Sequence, residues 1–198
     1  MNRTRRIAVV VTRHPRYGSG KRRLAREVGE ARAWRFQRWA LASLVRRLGR
    51  DRRWTLVLAL TPDRAAAWAV PGLRRTLRRP QGSGDLGARM QRLLQGPGAR
   101  HVVLIGSDCP AVAPADVAAA FDALRRAPWV LGPATDGGYW LIGARRRPTL
   151  GAPFRGVRWS SRHTLADTLA NLPAETIVLR LLSDVDEAGD LEPWRGLF

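Results

Sequence analysis

The sequence is poor in cysteine, in lysine and in long apolar runs, and each shortage narrows the kind of protein it can be. Cys109 is the single cysteine among 198 residues, so no disulfide can form within the chain. No stretch approaches the ~20 apolar residues of a membrane span, and residues 7–12 are too short for the core of a signal peptide. These absences predict a cytoplasmic protein without a membrane span.

Acidic residues are also scarce: the chain has 16 acidic and 35 basic residues, which gives a formal net charge of +19. The basic residues are spread over nearly every predicted helix and loop, and Lys21 is the only lysine. A nucleic-acid-binding face would cluster its cations instead. The charge therefore predicts loose binding of polyanions at low salt, no specific nucleic-acid partner, and a field that attracts phosphorylated substrates.

Apolar residues make up 45% of the chain, enough for a folded core. Short continuous apolar runs, such as Ile7–Thr12 and Val102–Gly106, are typical of strands buried on both faces. Helical stretches alternate with them, among them one predicted at Pro114–Arg126. The alternation predicts an α/β protein with a Rossmann-like, mixed but mostly parallel sheet and helices on both faces, in a single domain of residues 1–198.

Acidic residues follow two of the predicted strands. Asp108 comes directly after the run at 102–106, and Asp184 and Asp186 follow the last predicted strand, at 176–181. Strand ends of a parallel sheet meet at one edge, where ligands of α/β proteins bind. Carboxylates placed there predict a site for a divalent cation beside a phosphate. The alternative is that Asp108 only caps the following turn.

The loop of residues 13–23 follows the first strand and contains several cations and glycines. It is not a P-loop, because Pro15 stands where the first glycine belongs and Arg22 replaces the hydroxyl residue. Two interpretations remain open: a loop that presents cations and a helix N-terminus to an anion, or a basic surface loop.

Two more glycine-containing loops allow two interpretations each. Gly84 and Asp85 either let the backbone approach a base or form a turn with a helix N-cap. Asp136, Gly137 and Gly138 either lie against a ligand or form a hairpin turn.

Six short motifs occur in the order found in one bacterial family, and together they cover the chain from Ile7 to about Leu191. They are Gly20-Lys21-x-Arg23-Leu24, Gly84-Asp85-Leu86-Gly87-x-Arg89-Met90, Gly106-Ser107-Asp108-Cys109-Pro110, Gly132-Pro133 through Asp136-Gly137-Gly138-Tyr139, Trp159-Ser160 and Asp184-Val185-Asp186. This set resembles a domain-of-unknown-function family of GT-A-type glycosyltransferases, some labelled for arsenosugar biosynthesis. The family is more distantly similar to phospholactate and molybdenum-cofactor guanylyltransferases.

The resemblance implies a nucleotide-diphospho-sugar transferase fold and a role for each motif. It implies catalysis by Asp108, Asp136 and Lys21, and Mg²⁺ or Mn²⁺ held by Asp108 and Asp186. The implied nucleotide-binding residues are Arg13, Lys21, Arg23, Gln81, Gly84, Asp85, Gly87, Arg89 and Ser107. The implied acceptor side consists of Gly137, Gly138, Tyr139 and Trp159. The chain departs from the family at Arg22, where threonine is frequent, and at residues 187–189, where Thr-Pro-Glu is usual.

The resemblance implies a metal-dependent transferase that glycosylates a small-molecule acceptor from a nucleotide sugar. One alternative is a nucleotidyltransferase that joins a nucleoside triphosphate to a phosphorylated small molecule. An alternative of another class is a non-catalytic basic protein that binds nucleic acid. That interpretation leaves the acidic residues at the strand ends without a function. The expected partners are therefore a nucleotide or nucleotide sugar and a phosphorylated or polar small-molecule acceptor.

Overall fold

The computed structural model describes residues 6–67, 76–96, 99–146 and 151–198. The strands within these ranges are β1 (Arg6–Arg13), β2 (Thr55–Thr61), β3 (Leu77–Pro80), β4 (His101–Gly106), β5 (Trp129–Pro133), β6 (Tyr139–Arg145) and β7 (Ile177–Val178). The α-helices are α1 (Arg22–Val28), α2 (Glu30–Gly49), α3 (Leu86–Gln95), α4 (Pro114–Arg126) and α5 (Thr164–Ala170), and 3₁₀ turns span Asp63–Ala67 and Gly189–Trp194. Of the helices described, none combines the length and apolar character needed to cross a membrane.

The described strands form one sheet in the order β3-β2-β1-β4-β6-β5-β7. β1 is parallel to both of its neighbours, β2 and β4, and β3 is parallel to β2. β6 is antiparallel to β4 and β5, and β7 is parallel to β5. The predicted mixed and mostly parallel sheet is confirmed.

The central strands are buried on both faces, which explains their unbroken apolar sequence. In β4, Val103 and Ile105 belong to the core beneath α2 and α4, whereas Val102 and Leu104 belong to the core beneath α3 and α5. The predicted helix at Pro114–Arg126 is confirmed as α4. Helices cover both faces of the central sheet. A ligand can therefore reach it at the edge formed by the carboxyl ends of the strands, where β1 and β4 end side by side.

Two predicted strands differ from the structure. The apolar pattern also predicts a weak strand near residues 73–77; part of this segment lies outside the described residues, and β3 begins only at Leu77. The strand predicted at 176–181 is confined to Ile177–Val178, apart from one bridge between Ala134 and Leu182. Beyond Val178 the carbonyl oxygen of Arg180 accepts a hydrogen bond from the Trp140 indole, and the neighbouring strand β5 is irregular at Gly132/Pro133.

His101, the first residue of β4, links stability to pH. Its side chain is buried, and burial, followed by the positive charges of Arg100, Arg6 and Arg145, lowers the pKa of its imidazole. The unfolded chain therefore takes up a proton before the folded one as pH falls below ~6.5, so acidification favours unfolding. We expect urea unfolding to show a larger loss of stability between neutral and acidic pH for the wild type than for His101→Gln. An equal loss in both proteins would contradict this, and His163→Gln controls for removing a histidine.

Candidate active site

The candidate site lies at the edge of the sheet where β1 and β4 end. Ser107 and Asp108 directly follow β4, and the Ser107 hydroxyl lies 2.9 Å from that of Thr12 in β1. The backbone N–H of Val185 donates to the carbonyl oxygen of Asp108 over 3.0 Å. This bond brings the acidic segment 184–186 beside Asp108, so the two acidic positions meet at one edge of the sheet, as predicted.

Lys21 joins the two acidic positions. Its ammonium lies 2.9 Å from Oδ1 of Asp108 and 2.9 Å from Oδ1 of Asp186, and it also donates to the carbonyl oxygen of Val185. Only 6% of the Lys21 side chain is exposed, against 55% for Asp108 and 42% for Asp186. The lysine is thus a buried cation on which two partly exposed carboxylates converge.

The protonation of Lys21 follows from this contact. Burial alone lowers the pKa of the ammonium, but the charges of Asp108 and Asp186 and their hydrogen bonds together outweigh burial and raise it above its usual value. Lys21 is therefore charged at neutral pH and offsets the negative charge of the two carboxylates. The sequence predicts that this ammonium meets phosphate; in the structure it lies against the two carboxylates.

A cavity of about 610 Å³, which we call the cationic cavity, opens on one side of these carboxylates. The cationic side chains that line it are Arg13, Lys21, Arg22, Arg23, Arg89 and Arg162. Six of the predicted nucleotide-binding residues line it, namely Arg13, Lys21, Arg23, Gln81, Arg89 and Ser107. Arg22 and Arg162 were not predicted. The position of Arg22 beside Lys21 was a usable signal, whereas Arg162 reaches the cavity only through the tertiary fold.

A second cavity of about 330 Å³, which we call the acidic cavity, opens on the other side. The carboxylates that line it are Asp108, Asp136, Asp184 and Asp186, and none of the lysine and arginine residues that the structure describes contributes to its lining. Leu86, Met90, Tyr139 and Trp159 contribute apolar surface. Of the predicted acceptor residues, Gly138, Tyr139 and Trp159 line this cavity, and Gly137 does not.

Three of the predicted nucleotide-binding residues line neither cavity and instead shape the elements around them. Asp85 is the N-cap of α3, where its carboxylate accepts from the backbone N–H of Ala88 over 2.8 Å. Gly84 has a φ of +97° and precedes this cap. A Cβ at Gly87 would lie 3.0 Å from the Trp159 ring, so the absence of a side chain lets α3 pack against that wall of the acidic cavity. Their contact with a base stays a prediction.

Residues 134–138 connect β5 to the antiparallel β6 as a hairpin turn, and the same turn borders both cavities through Asp136. The Asp136 carboxylate accepts from the backbone N–H of Gly138 over 2.8 Å. The carbonyl oxygen of Gly137 accepts from the backbone N–H of Leu165 over 2.9 Å. The turn is therefore fixed at both sides, and Asp136 is presented from a rigid position.

Gly137 is the turn residue most sensitive to substitution. Its φ is +82°, and an added Cβ would lie 2.4 Å from the Arg162 carbonyl oxygen, which is backbone and cannot move aside cheaply. We expect Gly137→Ala to destabilise the fold by about 2 kcal/mol in urea unfolding. Gly156→Ala is the matched control, because Gly156 also has a positive φ, +66°, but has open space around it. Equal losses for the two variants would contradict the role of the close approach.

Two groups beside the site, the buried Cys109 thiol and the half-buried Asp184 carboxyl, have pKa values raised above their usual range. Burial raises the pKa of the Cys109 thiol, and the negative charges of Asp184 and Asp108 raise it further. Cys109 is therefore suited to packing and not to nucleophilic attack. The pKa of Asp184 is also raised, first by burial and then by the charges of Asp136 and Asp186.

The residues at the junction fit the divalent cation that the resemblance implies. Asp108 and Asp186 already direct one oxygen each at a single cation, the Lys21 ammonium. Among the residues described, no three His, Cys, Asp or Glu side chains converge as a complete metal site would require. Mg²⁺ is usually held by one or two carboxylates together with substrate phosphates and water. The donor set therefore fits a cation that arrives with a phosphorylated ligand, and Asp186 is the carboxylate that converges with Asp108 on Lys21.

Structural comparison gives the class of fold, that of the nucleotide-diphospho-sugar transferases. The chain belongs to the family described as "Uncharacterized protein conserved in bacteria (DUF2064)", whose profile matches residues 44–161, more than half of its length. This segment contains Asp108 and Asp136 but neither Lys21 nor Asp186. A comparison with curated proteins found no match.

Three solved structures illustrate the likeness. A "putative nucleotide-diphospho-sugar transferase" from Desulfovibrio desulfuricans G20 has a TM-score of 0.85 and 27% identity over 97% of this chain and 87% of its own. The 4-diphosphocytidyl-2C-methyl-D-erythritol synthase of Anaerococcus prevotii has a TM-score of 0.62 and 10% identity over 96% of both chains. Rv0371c of Mycobacterium tuberculosis, solved in complex with manganese, has a TM-score of 0.54 and 20% identity over 96% of this chain and 97% of its own.

Proposed function

We propose that this protein is a metal-dependent transferase whose whole chain forms one domain, and that it transfers a sugar from a nucleotide sugar to a small-molecule acceptor. The observation that carries the proposal is the junction of two cavities of opposite charge. Asp108, Asp136 and Asp186 line both the cationic and the acidic cavity. A donor bound through its phosphates on one side and an acceptor on the other would meet at these carboxylates.

The cationic cavity supplies what a diphosphate needs. Arg13, Arg23 and Arg89 line it together with Lys21, and cations aimed at a leaving diphosphate stabilise the negative charge that develops as its bond breaks. Mg²⁺ or Mn²⁺ held by Asp108 and Asp186 would supply further neutralisation of that charge. The likeness to the Desulfovibrio transferase and the manganese complex of Rv0371c support this proposal.

In the proposed transfer the hydroxyl oxygen of the acceptor forms a bond to the anomeric carbon of the donor sugar. The bond from that carbon to the diphosphate oxygen breaks, and its electron pair leaves with the nucleoside diphosphate. The hydroxyl proton passes to Asp136, which the hairpin turn presents to both cavities. No nucleophile on the protein takes part in this scheme.

The first test is a thermal-shift screen of nucleoside diphosphates, nucleoside triphosphates and nucleotide sugars with and without Mn²⁺. We expect at least one nucleotide sugar to raise the melting temperature only with the metal, and ³¹P NMR of the reaction to show release of a nucleoside diphosphate. Release of pyrophosphate from a triphosphate would establish nucleotidyl transfer instead. Binding of an oligonucleotide at near-physiological salt, with no response to any nucleotide, would overturn the proposal in favour of a nucleic-acid-binding protein.

A further inference from the structure

The two cavities differ in charge more sharply than the composition of the chain leads one to expect. Arginine and lysine outnumber acidic residues 35 to 16, yet among the described residues no cationic side chain lines the acidic cavity, whereas four aspartates do. The cationic side chains at the site are all on the other side of the junction, in the cationic cavity. This separation of positive from negative side chains is confined to the site, and the negative charge of the acidic cavity opposes the positive field of the whole protein.

The negative charge of the acidic cavity persists after the neighbouring site is filled. Asp108 and Asp186 share the single positive charge of Lys21 in the structure, and a divalent cation bound in its place would offset both of their charges. Asp136 and Asp184 remain. Asp136 accepts from the backbone N–H of Gly138, and Asp184 accepts from the hydroxyl of Thr135 over 3.3 Å, and neither partner carries a positive charge.

The size and the lining of the acidic cavity further restrict which acceptor molecules can bind in it. Its volume of about 330 Å³ is at the lower end of the ~300–1,000 Å³ typical of ligand pockets. Trp159 is half-buried on its wall and does not line the cationic cavity. A small molecule with hydroxyl groups and one apolar face, such as a sugar ring, fits this combination of an aromatic wall and carboxylate acceptors.

We propose that the acceptor is an unphosphorylated hydroxyl compound, neutral or positively charged, and that Asp136 and Asp184 select it by excluding anions. The assignment of this ligand as an acceptor rests on the proposed transferase function. A phosphate group in the acidic cavity would face two carboxylates with no lining cation to offset the repulsion. Phosphorylated acceptors are therefore rejected on this side, although phosphates are attracted to the other.

The test uses the Trp159 indole N–H signal as a reporter of the acidic cavity, assigned with Trp159→Phe in ¹H–¹⁵N spectra. The full-length protein is first saturated with Mg²⁺, which is diamagnetic and leaves the reporter signal visible, and a nucleoside diphosphate that binds, so that the cationic cavity is occupied. It is then titrated with glucose, glucosamine and glucose 6-phosphate at slightly acidic pH, where the amine is protonated. The three probes share one sugar ring and differ mainly in charge.

We expect glucose and glucosamine to shift the Trp159 signal at concentrations at least tenfold lower than glucose 6-phosphate. In the double variant Asp136→Asn, Asp184→Asn, we expect the ratio between the concentrations needed for glucose 6-phosphate and for glucose to fall at least tenfold. The matched control is Asp122→Asn, which removes one acidic charge at the opposite end of β1, where Asp122 pairs with Arg6 at 3.5 Å. The single variant Asp184→Asn replaces the double variant if the latter does not fold.

Three results would overturn the inference. The first is that glucose 6-phosphate shifts the Trp159 signal at the same concentration as glucose or at a lower one. The second is that the folded variants rank the three sugars as the wild type does. The third is that none of the three sugars shifts the signal up to its solubility limit. Failure of the transferase proposal gives a different result, namely no binding of any nucleoside diphosphate with Mg²⁺ in the first step. In that case the acceptor assignment falls with it, whatever the charge preference of the free protein.

Discussion

Asp108→Asn is expected to weaken the binding of a nucleoside diphosphate in the presence of Mn²⁺ at least a hundredfold, which corresponds to about 2.8 kcal/mol. Asp108 is one of the two carboxylates that converge on a single cation, and an amide oxygen carries no charge to replace it. Without its anchor the metal cannot bridge to the diphosphate, which is then held by the arginines of the cationic cavity alone. Isothermal titration calorimetry with and without Mn²⁺ measures the effect.

The metal-free titration is an internal control for this variant. Without Mn²⁺ we expect the wild type and Asp108→Asn to bind the diphosphate with affinities within a few-fold of each other. Asp122→Asn controls for the change of one charge, because Asp122 lies on α4 away from both cavities. Unaltered Mn²⁺-dependent binding by Asp108→Asn would remove Asp108 from the metal site.

Lys21→Met is expected to lower the free energy of unfolding by about 2 kcal/mol. Removal of one partner from a fully buried ion pair costs about 3–5 kcal/mol. The figure here is smaller because solvent reaches the two carboxylates, which are 55% and 42% exposed. The variant also loses the hydrogen bond to the Val185 carbonyl oxygen. Urea unfolding measures the loss, and Arg125→Met, which removes an exposed arginine from α4, is the control.

The response of Lys21→Met to Mn²⁺ distinguishes a lysine that only stabilises the fold from one that shares the metal site. In the variant two carboxylates converge without a cation between them, so Mn²⁺ without nucleotide should raise its melting temperature more than that of the wild type. In the wild type the metal has to displace the ammonium. An equal rise in both proteins would show that the metal and Lys21 do not compete.

The central elements could be predicted because their sequences reflect local physics. β4 is an unbroken apolar run because both of its faces are covered, and α4 begins at Pro114, a residue suited to the first turn of a helix. The helical pattern that starts at Leu24 is interrupted by glycine at Gly29, and in the structure Gly29, with a φ of +84°, separates α1 from α2. Asp108 and the segment 184–186 could be assigned to one edge from strand order alone.

The finer features of the site depend on contacts between distant residues and could not be predicted. Beyond the end of β7 the Trp140 indole donates to the Arg180 carbonyl oxygen, a contact between distant residues that no local sequence pattern indicates. Arg162 lines the cationic cavity because its segment packs against the hairpin turn at Gly137. The partners of Lys21 are likewise hidden, since the motif at 20–24 indicates a phosphate and gives no sign of two carboxylates.

The contacts of Lys21 also set the point during synthesis at which the site can form. Its ammonium meets Val185 and Asp186, which follow it by 164 and 165 positions. A growing chain that has not yet reached these residues contains Asp108 and the arginines of the cationic cavity, but it lacks the second carboxylate and its link to the first helix. Closure of this long loop therefore belongs to the end of folding. A partly synthesised chain cannot hold the nucleotide in a productive way, and ribosome-bound fragments should be inert toward it.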